Sequence, residues 1–184
     1  MGRVLTVRGS IDTDWGATRA VEQLIFNYES PDRTKGWKVT GAWIWLDTLS
    51  QNAITSNNNP AVVAALATDS IIPPGTPGVG MDAITTADDN RLFGWTQIHY
   101  RGFDANDYYV GHASTPAQQS FLIDFNRIVT NELFMNVMGI TNGGLPAGLN
   151  PVKINYMISL EEVKISPSQS ILQQLKGIGQ NVQN

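Results

Sequence analysis

The chain has 184 residues, of which 42% are hydrophobic and only 15% charged, with a formal net charge of −4 and no cysteine. That length and apolar content suffice for a folded domain with a sizeable core and argue against wholesale disorder. The acidic balance without a basic run argues against wrapping nucleic acid, and the missing cysteines exclude disulfides, a thiolate nucleophile and a cysteine-based zinc site. No apolar run reaches the roughly 18 residues of an ordinary transmembrane helix, and the start, Met1 to Thr6, lacks the apolar stretch of a secretory signal. Amide and hydroxyl side chains stand where charges would be, as in Asn57-Asn58-Asn59, Gln118-Gln119 and Gln173-Gln174. A surface this poor in charge opposes association less than a charged one does.

Taken in chain order, apolar spacing and turn residues predict a series of short strands. Arg3 to Arg8 alternates Leu5 and Val7 against Val4, Thr6 and Arg8; Val21 to Tyr28 puts Leu24, Phe26 and Tyr28 on one face. A proline-aspartate turn follows at Ser30 to Arg33. Trp37 to Leu46 is the clearest strand, with Trp37, Val39, Trp43 and Trp45 on one parity and Lys38, Thr40, Ile44 and Leu46 on the other. After a polar loop over residues 50–60, Ala61 to Thr68 fits a buried strand or a helical turn, and is read as a strand. Ile71 to Asn90, broken by Pro73, Pro74, Gly75, Pro77, Gly78 and Gly80, reads as a long irregular loop that carries a contact or moves.

Arg91 to Tyr100 alternates Leu92, Gly94, Thr96 and Ile98 against Phe93, Trp95, Gln97 and His99. A short edge strand is expected at Asp107 to His112, and two further strands at Ser120 to Arg127 and Glu132 to Ile140. Val152 to Ile165 is a long strand keeping Val152, Ile154, Tyr156, Ile158 and Leu160 on one parity. The pattern then changes. Ser168 is placed to cap a short helix, and Ile171, Leu172, Leu175 and Ile178 fall at helical spacing before Gly177 and Gly179 stop it. The expectation is an all-β, single-domain chain over 1–184, an eight-stranded jelly roll or barrel with a short C-terminal helix. Residues 1–16 form the first strand and an N-terminal arm; residues 166–184 form a C-terminal arm.

Candidate chemistry is thin. His99 and His112 are the only histidines, and neither sits in a Ser-His-Asp arrangement. Asp104, Asn106 and Asp107 form an oxygen-rich loop, with Asp88, Asp89 and Asn90 as further candidates to join it in space, but it lacks the glycine and distal glutamate of an EF-hand; solvated turn carboxylates are preferred to a bound cation. Glu161 and Glu162, adjacent on a strand, point to opposite faces and cannot flank one glycosidic bond. Trp15, Trp43, Trp45 and Trp95 suggest a sugar-stacking platform, although tryptophans interleaved with aliphatic residues are more often core; Trp15, in a polar loop, is the one expected to be exposed. Met1-Gly2 with Thr6 matches a myristoylation signal only formally. The C-terminal stripe of Ile171, Leu172, Leu175 and Ile178 has the best claim to an interaction, because so short a helix needs a surface to dock on, its own or a neighbour's. No enzyme and no cofactor are expected.

The aromatic strand Gly36 to Leu49, the strand Asn90 to Tyr100, the pair spanning Ser120 to Ile140 and the closing strand Val152 to Ser166 together resemble small jelly-roll coat proteins. Size and acidity are most similar to the smaller major capsid protein of membrane-containing icosahedral viruses with vertical single β-barrels, the sphaerolipovirus-like group. That resemblance covers roughly residues 20–165 and has no diagnostic motif. It implies a barrel upright on a virion surface, partner copies of itself, a second and larger capsid protein, and a lipid membrane beneath the shell. Halophilic members would be expected to be more acidic than this chain. The rival reading, a carbohydrate- or receptor-binding jelly roll, would place Trp15 or loop aromatics in an exposed row.

Overall fold

The computed structural model describes residues 2–28, 34–47, 61–99, 119–141, 151–172 and 175. Strands β1 (Val4–Thr13), β2 (Val21–Asn27), β3 (Lys35–Leu46) and β4 (Ala61–Ala67) are followed by a helix α1 (Met81–Thr85) and strand β5 (Leu92–His99). Three two-residue strands come next, β6 (Gln119–Ser120), β7 (Leu122–Ile123) and β8 (Ile128–Val129). Strands β9 (Glu132–Ile140) and β10 (Val152–Lys164) complete the described β structure, and residues 167–172 and 175 are helical.

All pairings are antiparallel and fall into two sheets. One runs β1-β10-β3-β6, with β8 also on β3; the other runs β2-β9-β4-β5-β7. Strands β6 to β8 act as one interrupted strand, which pairs with β3 at both ends and crosses to β5 in the middle. Counted that way, the described strands take eight positions divided between two facing sheets in the order of a jelly roll, with the consecutive strands β4 and β5 paired in one of them.

The core follows from period-two alternation on both inner faces. Val152, Ile154, Tyr156, Ile158 and Leu160 of β10 all point inward, as predicted, against Val62, Ala64 and Leu66 of β4 and Leu133, Met135 and Val137 of β9. Each fully buried aliphatic side chain contributes roughly 1.5–3 kcal/mol. Trp37 closes one part of this core, meeting the rings of Phe26 and Tyr28 edge-on at 5.7 Å each.

Three β-bulges reverse the parity expected from sequence. Val39 pairs with Leu160 and Gly41 with Ser159, so Thr40 is an extra residue in β3. Before it, Trp37 and Val39 face the core; after it, Ala42 and Ile44 do, and Trp43 and Trp45 turn to the outer face. The four aromatic and aliphatic residues expected on one face therefore divide between two. Ile25 is likewise skipped between Leu24 and Phe26, which turns Leu24 outward while Phe26 stays against the core. Phe93 is skipped between Leu92 and Gly94, so Phe93 enters the main core and Leu92 the outer cluster.

Strand β4 is buried along its whole length. Its outward residues Val63, Ala65 and Ala67 lie beneath a second cluster that includes Ala20, Ile71, Ile84 and Met138. The cover is the segment expected to be an irregular loop: residues 71–90 contain α1 and pack over the second sheet. Three hydrogen bonds pin it there. The Ala20 amide donates to the Val79 carbonyl at 2.7 Å, and the Glu22 carboxylate accepts the Ser70 hydroxyl at 2.5 Å and the Ile71 amide at 2.9 Å. Gly78, at φ +141°, marks the docking point, where a Cβ would stand 2.8 Å from the Ala20 carbonyl oxygen.

The single strand expected at Ser120 to Arg127 holds only the end of β6 and the two residues of β7, because Asp124 to Arg127 forms a turn. The Asp124 carboxylate accepts the Asn126 amide at 2.9 Å and its carbonyl accepts the Arg127 amide at 3.1 Å. The edge strand expected at Asp107 to His112 lies outside the described residues.

Candidate assembly surface

The C-terminal segment begins where β10 stops. The Ile165 amide donates to the Thr34 carbonyl at 2.8 Å, keeping Ile165 buried against the start of β3. Ser166 then caps the helix: the Gln169 amide donates to its hydroxyl at 3.2 Å, and the Ser166 amide donates to the Gln169 side-chain oxygen at 3.0 Å. This is a reciprocal capping box with Pro167 in the first helical position. The cap expected at Ser168 is therefore two residues too late, since its hydroxyl shares a 3.1 Å hydrogen bond with that of Ser166.

That cap fixes which side of the helix faces the body. Ser170 is buried and its amide donates to the Ser166 carbonyl at 3.0 Å. Ile171, Leu172 and Leu175 sit on the other side, 47%, 55% and 56% exposed. Their spacing places them within about one-third of the helix circumference, so they form one bare apolar stripe. Ile178 lies outside the described residues.

Other bare apolar side chains border the sheets. Val4 lies on edge strand β1, and Val21 and Leu24 on edge strand β2. Leu122 on β7 is 75% exposed, and Phe125 in the following turn lies under the Lys38 ammonium, 5.8 Å from its ring centroid. Sequence periodicity hid these last two inside an apparent strand. The signal that could have found them is the Asp124-Phe125-Asn126 triplet, a turn composition.

The remaining candidates are placed as follows. Trp15 is partly buried and packs against the main core, in a loop held by the Ala17 amide on the Gly139 carbonyl at 3.1 Å. Trp43, Trp45 and Trp95 are half-buried on outer faces. His99 is exposed at the end of β5, and Glu162 forms an ion pair with Lys35 at 3.2 Å. Asp104, Asn106, Asp107 and His112 lie outside the described residues. Among the described residues no three His, Cys, Asp or Glu side chains group to hold a metal ion, and no helix is long and apolar enough to cross a membrane.

One part-buried polar cluster has no counterpart in the sequence reading. Arg127, nearly inaccessible, donates from Nη2 to the Thr68 hydroxyl at 2.9 Å, and that hydroxyl donates to the Asp69 carboxylate at 3.0 Å. Burial raises the Asp69 pKa above its ordinary value, against the lowering pull of Thr68, Arg127 and Arg91. Burial also lowers that of Arg127, opposed by Asp69, Asp124 and Asp89. An acid whose pKa is raised by folding adds stability below its unfolded pKa and loses it as the pH rises through the folded value. Asp69→Asn, which mimics the protonated acid, should therefore gain on the parent as pH rises from about 4 to about 7. Urea unfolding across that range checks this; a flat difference would show that the carboxylate ionises without cost.

No family model and no curated protein matches the sequence. Among the solved structures that are similar to it are virus structures. Desmodium yellow mottle tymovirus is 10% identical over 88% of this chain and 82% of that chain, with a TM-score of 0.40. Turnip yellow mosaic virus at 100 K is 9% identical over 90% of this chain and 96% of that one, with a TM-score of 0.38. VP1 of Trichodysplasia spinulosa-associated polyomavirus, in complex with GM1 oligosaccharide, is 8% identical over 88% and 95%, with a TM-score of 0.45. These are similarities of chain path, and the assignment of the fold rests on the strand order above.

Proposed function

We propose that this chain is a structural subunit of an icosahedral viral capsid, acting by assembly and not by catalysis. The observation that carries the proposal is the C-terminal helix: a capped, oriented first turn that leaves Ile171, Leu172 and Leu175 bare. Apolar surface arranged this way gains free energy only when another surface covers it. The jelly-roll order, the charge-poor composition and the bare residues on both edge strands support the same reading. Interfaces of this kind draw their energy from apolar anchors in preference to ion pairs.

The finer proposal is a small major capsid protein in the shell of a membrane-containing virus. It would pair with copies of itself and with a second, larger capsid protein, and its location would be the virion. Light scattering and electron microscopy of the purified chain, alone and co-expressed with the virion's other coat protein, test both levels. Ile171→Asp combined with Leu175→Asp should abolish assembly while changing monomer stability by no more than about 0.5 kcal/mol, because both side chains face solvent in the monomer. A parent chain that stays monomeric under every co-expression and never enters virions overturns the capsid proposal. Assembly without any second protein overturns only the two-protein version.

A further inference from the structure

We infer that the outer face of the first sheet carries a binding site for a neutral sugar, built on Trp43 and Trp45. This inference does not depend on the capsid reading. The bulge at Thr40 makes the site, because it turns both indoles away from the core and onto that face. The register then assembles neighbouring rows of outward side chains. Arg8, Met157 and Trp43 lie across β1, β10 and β3 in one row, and Ser10, Asn155 and Trp45 in the next. Beyond Trp43, Thr6, Ser159 and Gly41 complete the adjoining row.

Gly41 gives the face its shape. A methyl group there would collide with Cη2 of Trp43 and lie 2.9 Å from its Cζ3, so the indole lies across the glycine. Beside Trp45, the Asn155 side-chain amide donates to the Asp47 carboxylate at 2.9 Å. That bond leaves the second Asp47 oxygen, the Asn155 carbonyl oxygen and one Asn155 N–H with further hydrogen-bonding capacity. An apolar ring face next to groups that both accept and donate is the chemistry a sugar ring needs, since it offers C–H edges and hydroxyls together.

Size and charge separate this occupant from others. The platform extends roughly 13 Å along β3 and roughly 10 Å across β3, β10 and β1. A stable protein partner buries about 800 Å² on each side, several times that area. Arg8 in the Trp43 row and Asp47 beside Trp45 offset one another in formal charge, so the platform favours neither an anion such as a nucleotide phosphate nor a cation. One or two neutral hexose rings fit.

The test is titration of the full chain with maltose, cellobiose and lactose in the millimolar range, read by the indole N–H resonances. With five tryptophans in the sequence, substitution of each assigns its signal. The expected result is that Trp43 and Trp45 shift progressively with at least one disaccharide while Trp37, in the core, does not. Trp45→Ala should weaken the response about tenfold or more, and Gly41→Val, which removes the bed of the Trp43 ring, should do the same with both indoles present. An unchanged Trp37 resonance in these variants shows that the fold survives. No shift of Trp43 or Trp45 with any of the three sugars, or a response confined to Trp15, overturns the inference. An equal response to a proline-rich peptide overturns the sugar assignment.

Discussion

Replacing Arg91 with alanine is expected to lower folding stability by about 3–5 kcal/mol, the cost of leaving one partner of a buried ion pair alone. For a chain of this length the midpoint of thermal unfolding should fall on the order of 6–20 °C. Arg91 precedes β5 and its side chain is 7% exposed. Its Nε and Nη2 fork onto Asp89, at 3.0 Å to Oδ1 and 2.6 Å to Oδ2, and its Nη1 donates to the Ser70 carbonyl at 3.0 Å. One guanidinium therefore ties the end of β4, the cover of the second sheet and the start of β5 together. Truncation strands the Asp89 carboxylate, itself 12% exposed, with little but the backbone amide of residue 91 at 2.9 Å. Lysine should recover only part of the loss, because a point charge cannot replace a planar fork. The double substitution Asp89→Leu with Arg91→Met should cost less than Arg91→Ala alone, since it leaves no buried charge behind. Chemical denaturation of the four proteins measures this. A loss below about 1 kcal/mol for Arg91→Ala would mean that the apolar cluster and Glu22 hold the cover without the ion pair.

How much of this was legible beforehand depended on whether a feature was local. β10 was readable in full because its inward residues alternate without a break and its register is regular along them. β3 was found as a strand, but its faces were not, because a bulge depends on the partner and leaves no mark on the strand's own periodicity. Thr40 is an unremarkable residue in an alternating run; only its position between the partners of Leu160 and Ser159 makes it the extra one. The stretch 71–90 failed differently. Its prolines and glycines rule out a strand, as read, but say nothing about whether Ile71 and Ile84 are buried. Tertiary packing alone decides that. At the C-terminus the apolar stripe was visible from helical spacing. The cap was misplaced because both Ser166 and Ser168 suit it, and proline at 167 and glutamine at 169 decide for the former. The relay of part-buried Asp69 and Thr68 with buried Arg127 joins residues nearly sixty positions apart and had no local signature.

Gly139→Ala is expected to destabilise the fold by about 1–3 kcal/mol, and Gly139→Val by more, through overpacking at one end of the sandwich. Gly139 follows Leu133, Met135 and Val137 on the inward parity of β9, where a side chain would ordinarily add to the core. Instead the chain leaving β1 crosses directly over it. A Cβ on Gly139 would stand 2.6 Å from the Asp14 carbonyl oxygen and 3.4 Å from the Trp15 Cα, both backbone atoms that no rotamer change can move aside. The crossing is also hydrogen-bonded in place, by the Gly139 amide on the Thr13 hydroxyl at 3.3 Å and the Ala17 amide on the Gly139 carbonyl at 3.1 Å. Relief of the clash must lift residues 13–17 as a unit, breaking both bonds and pulling Trp15 from the edge of the core. The loss should therefore appear in two measurements together: a lower unfolding midpoint and a red shift of the Trp15 emission, isolated by comparison with Trp15→Phe. Gly41→Ala provides the contrast, because the atoms it meets belong to the far end of the Trp43 side chain, which can shift, and not to backbone. Its cost should stay below about 1 kcal/mol, under the range for overpacking against atoms that cannot move. If the two glycines proved equally tolerant of alanine, the crossing at Asp14 would have to yield as easily as a side chain, and the close approach would not be what fixes the Trp15 loop.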